Sequence, residues 1–550
     1  MFVTLEDLTV LIGANNAGKT SFLEALNYAI GASRKFTGKD DIRIAAGEFE
    51  VPKQRCAIID VLIRPVDAND KVICSFPACS FWTNIWGEGI SQNDQHEDIV
   101  GLRTKLKWSE VHGEYGSERN FLKEWLPFQD WLKAEEKDRI VTAQLEPIAL
   151  HFIDAKRDIG EDLQQRGSFW RRLTDDLELS ESDITAFESS LTTLNQEIVE
   201  KSVVLKHLRA HLGEIRNVIA GQETGVEIAP VPRHLRDLSK GIDVTFVATG
   251  VQAFSLTRHG MGTRSLASLF VFRAFASWKQ RQAQTGGDST HTVLALEEPE
   301  AHLHPQAQRS LFAHIQSIPG QRIVSTHSPY FAGQASLDKL RLFRTCNGHS
   351  TVTALDTTCL TSDDRRKLEQ KIVLTRGDIL FGRALILFEG ETEEQAPPIW
   401  ALTYWNKSIH ELGLSFVGVG GKDYYPFIWL AQSFEIPWFI FSAGEQEAIG
   451  QLNNCLLRAG KPNCAVCNNV IVLPNSNDFE QELVKDGYLP DIERAFNLVY
   501  SKRDYLDTYI AKMHGKPKKG GIIGTTRGKM GKYLQRSMHC EKTKHRWPSR

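Results

Sequence analysis

The sequence predicts an α/β protein in two main parts, joined by a charged and mostly helical connection. Three observations predict it. A short apolar run from Leu8 to Ile12 leads through a glycine-bearing loop into a helix near Ser21. Strand-like runs from Thr292 to Leu296 and from Arg322 to Ser325 end in acids and in a histidine. A further series of apolar runs, Ala384 to Phe388, Trp438 to Phe441 and Val470 to Leu473, ends each time in polar or acidic residues. A chain of 550 residues exceeds one comfortable core, so two or three domains are expected.

The bulk composition excludes several classes. Hydrophobic content of 41% and charged content of 24% are those of an ordinary globular chain. The net charge of -3 hides a basic carboxyl-terminal tail, where Glu541 is the sole acid between Lys512 and Arg550. Such a tail is either a solvated surface or a neutraliser of phosphates. Glu6 and Asp7 interrupt the place where a secretory signal needs an apolar core. No run is long enough to cross a bilayer, and Leu266 to Trp278, broken by Arg273, reads as a buried helix. Nine cysteines in this length make no disulfide scaffold. Cys464 and Cys467, with Cys455 upstream, are half of a zinc set or reduced thiols near a strand. The plain expectation is a cytoplasmic protein with no membrane partner.

Along the chain, Cys56 to Ile63 and Lys71 to Phe76 read as strands, whereas the Trp-rich stretch from Phe81 to about Trp131 resists assignment. From Ser180 to about Ile219, Leu191, Leu194, Ile198, Val204, Leu205, Leu208, Leu212 and Ile215 recur at helical spacing. That pattern fits either an exposed arm for self-association or a helix packed on its own domain. Asp356 to Gly377 is charged, helical and connects the two parts.

Gly13-Ala14-Asn15-Asn16-Ala17-Gly18-Lys19-Thr20 fits G-x-x-x-x-G-K-[ST] without a mismatch, and Ser21 opens the helix. Glycines let the backbone wrap phosphates, with amides and a helix amino terminus facing the negative charge. Lys19 is placed for the β- and γ-phosphates of ATP, and Thr20 for magnesium. The second half of such a site is an apolar strand ending in acids, and Val293-Leu294-Ala295-Leu296-Glu297-Glu298-Pro299 supplies it. Glu297 stands where magnesium is held, usually through water, and Glu298 where the attacking water is polarised. Two adjacent carboxylates at a buried strand's end must be solvated or bound to a cation.

Leu296-Glu297-Glu298-Pro299-Glu300-Ala301-His302-Leu303-His304-Pro305, together with Ser325-Thr326-His327-Ser328-Pro329, resembles the RecF/SMC branch of ABC-type ATPases. Within that branch the overcoming-lysogenization-defect (OLD) nucleases are most similar. The resemblance makes His327 a switch histidine that meets the γ-phosphate. It implies a head-to-tail homodimer or higher homo-oligomer, in which one protomer's signature loop closes its partner's nucleotide. Arg258-His259-Gly260-Met261-Gly262-Thr263-Arg264-Ser265 is the signature candidate, with Gly260 and Gly262 as its amide cradle and His259 where a serine is common. Only a short lead precedes the first strand, so the expectation is incomplete adenine contacts or a late start.

Beyond Ala384, three strand ends supply Glu389 and Glu393, then Glu445, then Asp478, Glu480 and Glu482. In a parallel sheet these carboxyl ends share one edge, where functional groups collect. Carboxylates gathered there repel unless a cation neutralises them, and hard oxygen ligands suit Mg2+ or Mn2+. Ordinary exposed strand ends are the alternative reading. Phe388-Glu389-Gly390-Glu391-Thr392-Glu393 and Asn477-Asp478-Phe479-Glu480 resemble the acidic motifs of OLD-type Toprim domains, and Gly418-Val419-Gly420-Gly421 resembles their intervening glycine turn. Lys529 and Lys532 resemble the late lysines of such domains that stabilise charge on the scissile phosphate. One departure stands out. Ala443 occupies the first position of an acid pair, leaving Glu445 for the second, and a methyl group binds no cation.

The fold expected is an ABC-type P-loop ATPase domain over 1–370, with a helical insert at about 155–225, followed by a Toprim α/β domain over 378–550 that carries the basic tail. The function the resemblance implies is an ATP-regulated, Mg2+- or Mn2+-dependent DNA endonuclease of the OLD family, Gabija-like and active in anti-phage defence. It also implies DNA as substrate and a helicase or other defence-system protein as partner. The competing reading is a nuclease-inactive, RecF/SMC-like DNA-binding ATPase, which Ala443 favours and the remaining acids oppose. A transporter ATPase has no place for the second part, and no tyrosine or primase module accompanies it for topoisomerase or primase chemistry.

Overall fold

The computed structural model describes residues 1–31, 42, 44, 53–67, 71–111, 113–154, 179–203, 205–206, 231, 245–246, 254–255, 260–286, 288–346, 348–374, 377–390, 394–474, 479–491 and 494. Glu393, Asp478, Lys529, Lys532, the Arg258-His259 start of the signature candidate and most of the insert lie outside them. Two compact units make up the chain. One comprises Leu5–Thr9 and Lys19–Thr326, the other Met1–Thr4, Val10–Gly18 and His327–Arg550. The chain therefore passes from one to the other after Thr4, within β1 (Leu8–Gly13), at the end of the glycine loop, and directly before His327.

In the Lys19–Thr326 unit, helix α1 (Lys19–Ile30) is followed by β2 (Ala57–Ile63), α2 (Phe81–Trp86), β3 (Ile90–Gln92), β4 (Asp98–Ser109), β5 (Glu114–Leu122) and β6 (Glu136–Arg139). These strands form an antiparallel sheet in the order β2-β4-β5-β6, with β3 beside β4. The stretch that resisted assignment is thus largely sheet. Its signal was the period of two in Leu102, Thr104, Leu106 and Trp108, alternating with Arg103, Lys105 and Lys107. Leu106 and Trp108 pack with Tyr28 of α1 and Tyr115 of β5, which seats the sheet on the helix that follows the glycine loop. Arg103, from the alternate set, is buried and makes two bonds to Asp60, of 2.9 and 2.7 Å, and two more to the carbonyls of Ala134 and Trp131. The strand expected over Lys71 to Phe76 does not form. Only an isolated bridge joins Val66 to Val72. The Phe76 amide donates to the Asp98 carboxylate instead of a ladder, and its ring turns onto Trp86 at 5.4 Å.

The unit continues with α3 (Thr142–Leu145), β7 (Leu150–Ile153), α4 (Glu181–Lys201), the short pair β8 (Thr245–Phe246) and β9 (Phe254–Ser255), α5 (Met261–Gly286), β10 (Val293–Glu297), α6 (Pro305–Gln316) and β11 (Gln321–Ser325). Strand β10 pairs in parallel with both β7 and β11, with Glu297 level with Ser325. It is buried from Val293 to Leu296, as a parallel strand covered on both faces must be. Helix α5 contains the expected Leu266–Trp278 segment but is not buried all round. Phe272, Phe275 and Ala276 are buried while Arg273 faces solvent, so one side stays wet. In α4 the buried positions are Asn195 and Val199, and Leu194 is exposed. The Asn195 amide both donates to the Val231 carbonyl (2.8 Å) and accepts from its N–H (2.7 Å), so α4 holds a segment of its own unit.

In the other unit, the Val10–Gly13 part of β1 pairs in parallel with β12 (Leu340–Cys346), which pairs antiparallel with β13 (His349–Ala354). Neither β12 nor β13 was expected from the sequence. After α7 (Pro329–Ala332) comes α8 (Ser362–Leu374), the charged connecting helix that was expected. Gly377 follows it at φ +80°, where a Cβ would lie 2.2 Å from the Pro329 carbonyl oxygen, so no other residue fits without displacement. A four-stranded parallel sheet then forms in the order β15-β14-β16-β17. Its elements are β14 (Ala384–Phe388), α9 (Pro397–Trp405), α10 (Ile409–Leu412), β15 (Leu414–Gly418), α11 (Tyr425–Ser433), β16 (Trp438–Ser442), α12 (Gln446–Arg458), β17 (Val470–Val472) and α13 (Phe479–Leu483). Three of these strands are those expected; β15 was read only as a glycine turn. Among the described residues no helix is long and apolar enough to cross a membrane.

Breaking the buried Arg103–Asp60 pair by Asp60→Ala leaves an uncompensated guanidinium. The expected loss is about 3 kcal/mol of folding stability, read as a lower urea midpoint.

Candidate functional sites

The glycine loop is shaped by backbone needs. Gly13, at φ +143°, lies so close to β12 that a Cβ would sit 2.3 Å from the Phe343 carbonyl oxygen. Gly18, at φ +96°, would bring a Cβ within 2.7 Å of Ser350 Oγ. Between them Asn16 adopts φ +62°, its carbonyl held by the Thr345 hydroxyl at 3.2 Å, and Ala17 N–H closes the turn on the Ala14 carbonyl at 3.3 Å. Asn15 is exposed at the loop's tip, and Ser21 is exposed in the first turn of α1.

Lys19 and Thr20 open α1, where unsatisfied amides and the helix dipole favour an anion. Lys19 is buried. That burial pushes its ammonium down to about 8, although the carboxylates of Glu298, Glu297 and Glu300 favour the charged form. The Thr20 hydroxyl donates directly to Glu297 Oε1 in a short contact. A hydroxyl and a carboxylate converging from a helix start and a strand end form a hard-oxygen set that fits a divalent cation. Glu298 takes φ +43°, uncommon for a residue with a side chain, and its N–H donates to the Ser325 carbonyl at 3.0 Å. Two residues on, the buried Glu300 accepts a 2.6 Å bond from the buried Thr326 hydroxyl, fastening the acidic loop to the end of β11. Glu300 lies inside the acidic motif, and this contact gives it a part. His327 follows Thr326 directly and is half-buried.

Of the signature candidates, Gly260 has open space where a Cβ would go, among the described residues. Gly262 does not. A Cβ there would lie 2.8 Å from the carbonyl oxygen of His302, itself at φ +64°, so its first duty is a close approach within its own unit.

In the four-stranded sheet, Phe388 is level with Gly418 on one side and Phe441 on the other. Glu389 therefore emerges at the shared carboxyl edge, beside the ends of β15 and β16. The glycine turn wraps it: Val419 N–H donates to the Phe388 carbonyl (2.8 Å) and Gly421 N–H to the Glu389 carbonyl (3.0 Å). Ala443, buried, and Glu445, at the start of α12, follow β16. Lys422 Nζ stands 3.7 Å from Glu445 and 3.6 Å from Glu447. Next to Gly390, Glu394 pairs with Lys371 of α8 at 3.3 Å. Glu480 belongs to α13, but its side chain, like Asp478, lies outside what is described. Among the described residues no group of three or more His, Cys, Asp or Glu is arranged around a metal position, and this includes Cys455, Cys464 and Cys467. An ammonium stands beside Glu445.

Residues 8–332, more than half of the chain, match the family described as "AAA domain, putative AbiEii toxin, Type IV TA system". The chain belongs to this AAA-domain family. Residues 380–442 match a second family, the overcoming lysogenization defect protein-like TOPRIM domain. The OLD nuclease of Thermus scotoductus is 26% identical over 415 residues, covering 70% of this chain and 68% of that protein. The protein is thus an OLD nuclease homologue with an AAA-type ATPase domain followed by an OLD-like Toprim domain. Among solved structures, the carboxyl-terminal region of the Xanthomonas campestris pv. campestris OLD protein is 21% identical with a TM-score of 0.24, covering 30% of this chain and 86% of that one. An Smc head domain bound to the carboxyl-terminal domain of ScpA, derived from Pyrococcus furiosus, is 15% identical with a TM-score of 0.34, covering 68% and 94%.

In the AAA domain the lowered Lys19 pKa gives a measurable sign. Phosphates favour the ammonium, so nucleotide binding draws a proton onto Lys19 wherever the free site is partly neutral. Near pH 8 calorimetry in two buffers of different ionisation enthalpy is expected to show uptake of roughly half a proton per ATP, falling towards none well below that pH. Equal uptake at both pH values would contradict the Lys19 assignment.

Proposed function

We propose that this OLD homologue is an ATP-regulated DNA endonuclease that uses Mg2+ or Mn2+, works as a homodimer or larger assembly, and serves in anti-phage defence. The observation that carries the reading is the parallel Toprim sheet, whose carboxyl edge presents Glu389 and Glu445, on the same chain as a helix start, Lys19 and Thr20, that meets paired acids. Both domain matches and the nuclease homologue support an enzyme with ATPase and nuclease activity. We take 1–370 as the ATPase domain and 378–550 as the Toprim domain, with Gly377 marking the joint.

In the ATPase domain, Gly13 to Gly18 and Lys19 bind the phosphates, Thr20 and Glu297 hold the metal ion, and Glu298 takes up the proton of the attacking water. The Thr326–Glu300 bond keeps the Glu298 loop beside the strand that leads to His327. In the Toprim domain Glu389, with Glu393, Asp478 and Glu480, supplies carboxylates for a divalent ion, and Lys529 or Lys532 faces the scissile phosphate. A bound divalent ion at such an edge activates water and stabilises the departing oxygen. DNA, with the basic tail as a phosphate neutraliser, and a helicase or other defence-system protein are the partners this reading takes. Ala443 favours a second reading, a DNA-binding ATPase that does not cut, because its buried methyl leaves the β16 end one acid short.

Incubating supercoiled plasmid with Mn2+, with and without ATP, separates the two readings: nicking supports the first, binding without nicking the second. Glu389→Gln is expected to lower nicking at least about tenfold while leaving ATP hydrolysis intact, because it removes a metal oxygen and no nucleotide contact. Glu298→Gln is expected to lower ATP turnover about a hundredfold while ATP still binds, as measured by phosphate release and equilibrium dialysis.

A further inference from the structure

The glycine turn does more than wrap Glu389: it delivers a lysine across the edge of the Toprim sheet. The strand order is β15-β14-β16, so the end of β15 and the end of β16 are separated by two strand spacings, about 10 Å. Lys422 follows the β15 turn, yet its ammonium lies 3.7 Å from Glu445 and 3.6 Å from Glu447, both beyond the end of β16. The turn itself makes the crossing: Val419 and Gly421 bond to the Phe388 and Glu389 carbonyls beyond β14, and the Lys422 carbonyl accepts from Cys455 Sγ of α12 at 3.7 Å, so the lysine sets out beside the helix that carries Glu447. Its exposure of 16% shows that it lies along the surface instead of extending into solvent.

We propose that Lys422 is a resident cation of this edge, which takes Glu445 out of the metal-ligand set. The inference rests on the nuclease reading above and deepens it by limiting which divalent ions the edge accepts. Two features of the chain agree. Ala443 removes the acid that would share a second ion with Glu445, and the ammonium of Lys422 lies beside the carboxylate left there and beside Glu447. Gly421, at φ +146°, with its N–H on the Glu389 carbonyl, fixes where Lys422 departs, so the lysine reaches the acids from a set position. A divalent ion on Glu445 would meet a like charge within a few ångströms and would have to displace it. The edge therefore holds its divalent ion at Glu389, and Lys422 supplies the other positive charge. An ammonium on a flexible stem is free to turn from Glu445 to a phosphodiester oxygen when DNA arrives, which a bound metal ion is not.

The test is Mn2+ binding to the nucleotide-free full-length chain by calorimetry, which needs no cleavage. Lys422→Gln is expected to bind Mn2+ at least about threefold more tightly than the parent, whereas Lys422→Arg, which keeps the charge, stays near it. Ala443→Asp alone is expected to bind a second ion weakly, and Ala443→Asp with Lys422→Gln at least about tenfold more tightly. Unchanged Mn2+ affinity in Lys422→Gln overturns the proposal. So does a second ion bound as tightly in Ala443→Asp as in the double variant. If Lys422→Gln does not fold, tight binding of two ions by Ala443→Asp with Lys422 intact overturns it equally. Should the parent chain fail to nick plasmid while these affinities shift as expected, the nuclease reading falls and the role of Lys422 stands.

Discussion

Two sites in this protein face one constraint: carboxylates at the ends of parallel strands repel each other, and each group needs a positive charge in place. The solution recurs. In the ATPase domain a glycine at positive φ, Gly18, is followed by Lys19, which is buried among Glu297, Glu298 and Glu300. In the Toprim domain Gly421 is followed by Lys422, which lies beside Glu445 and Glu447. Glycine is needed at each place because the chain must turn sharply over a strand end. Lysine suits the next position because its stem spans the gap and its charge is compact.

The two lysines differ in what surrounds them, and so in what they do. Lys19 is desolvated enough for its charge to be in question near pH 8, so a polyphosphate arriving there decides its protonation. Lys422 is less deeply placed and lies between two carboxylates, Glu445 and Glu447.

Between these sites the chain relies on close backbone approaches. Gly13 against Phe343, Gly262 against His302, and Gly377 against Pro329 each bring two segments nearer than a side chain permits. The Pro329–Gly377 approach is notable for its place. It joins the segment that begins at His327 to the residue that follows α8. The buried Thr326–Glu300 bond supplies the matching constraint on the acidic loop.

Sequence by itself determined the chemistry and the order of its parts. The spacing of Gly13, Gly18, Lys19 and Thr20, and the ending of β10 in Glu297-Glu298, are local patterns that a reader of residues recovers, as are the acid-ended runs at Glu389 and Glu445. The helix at Ser362–Leu374 was legible for the same reason. Tertiary structure alone decided what comes together across long stretches of chain. That Thr20 meets Glu297, that Glu300 meets Thr326, and that Lys422 spans to Glu445 depends on which strands lie side by side, and sheet order is written in no local period. The antiparallel strands β4 and β5 escaped notice although they alternate, because a face that also buries Arg103 against Asp60 blurs the contrast between apolar and charged positions. Burial has the last word on charge: the sequence names Lys19 as a cation, and only packing lowers its hold on the proton.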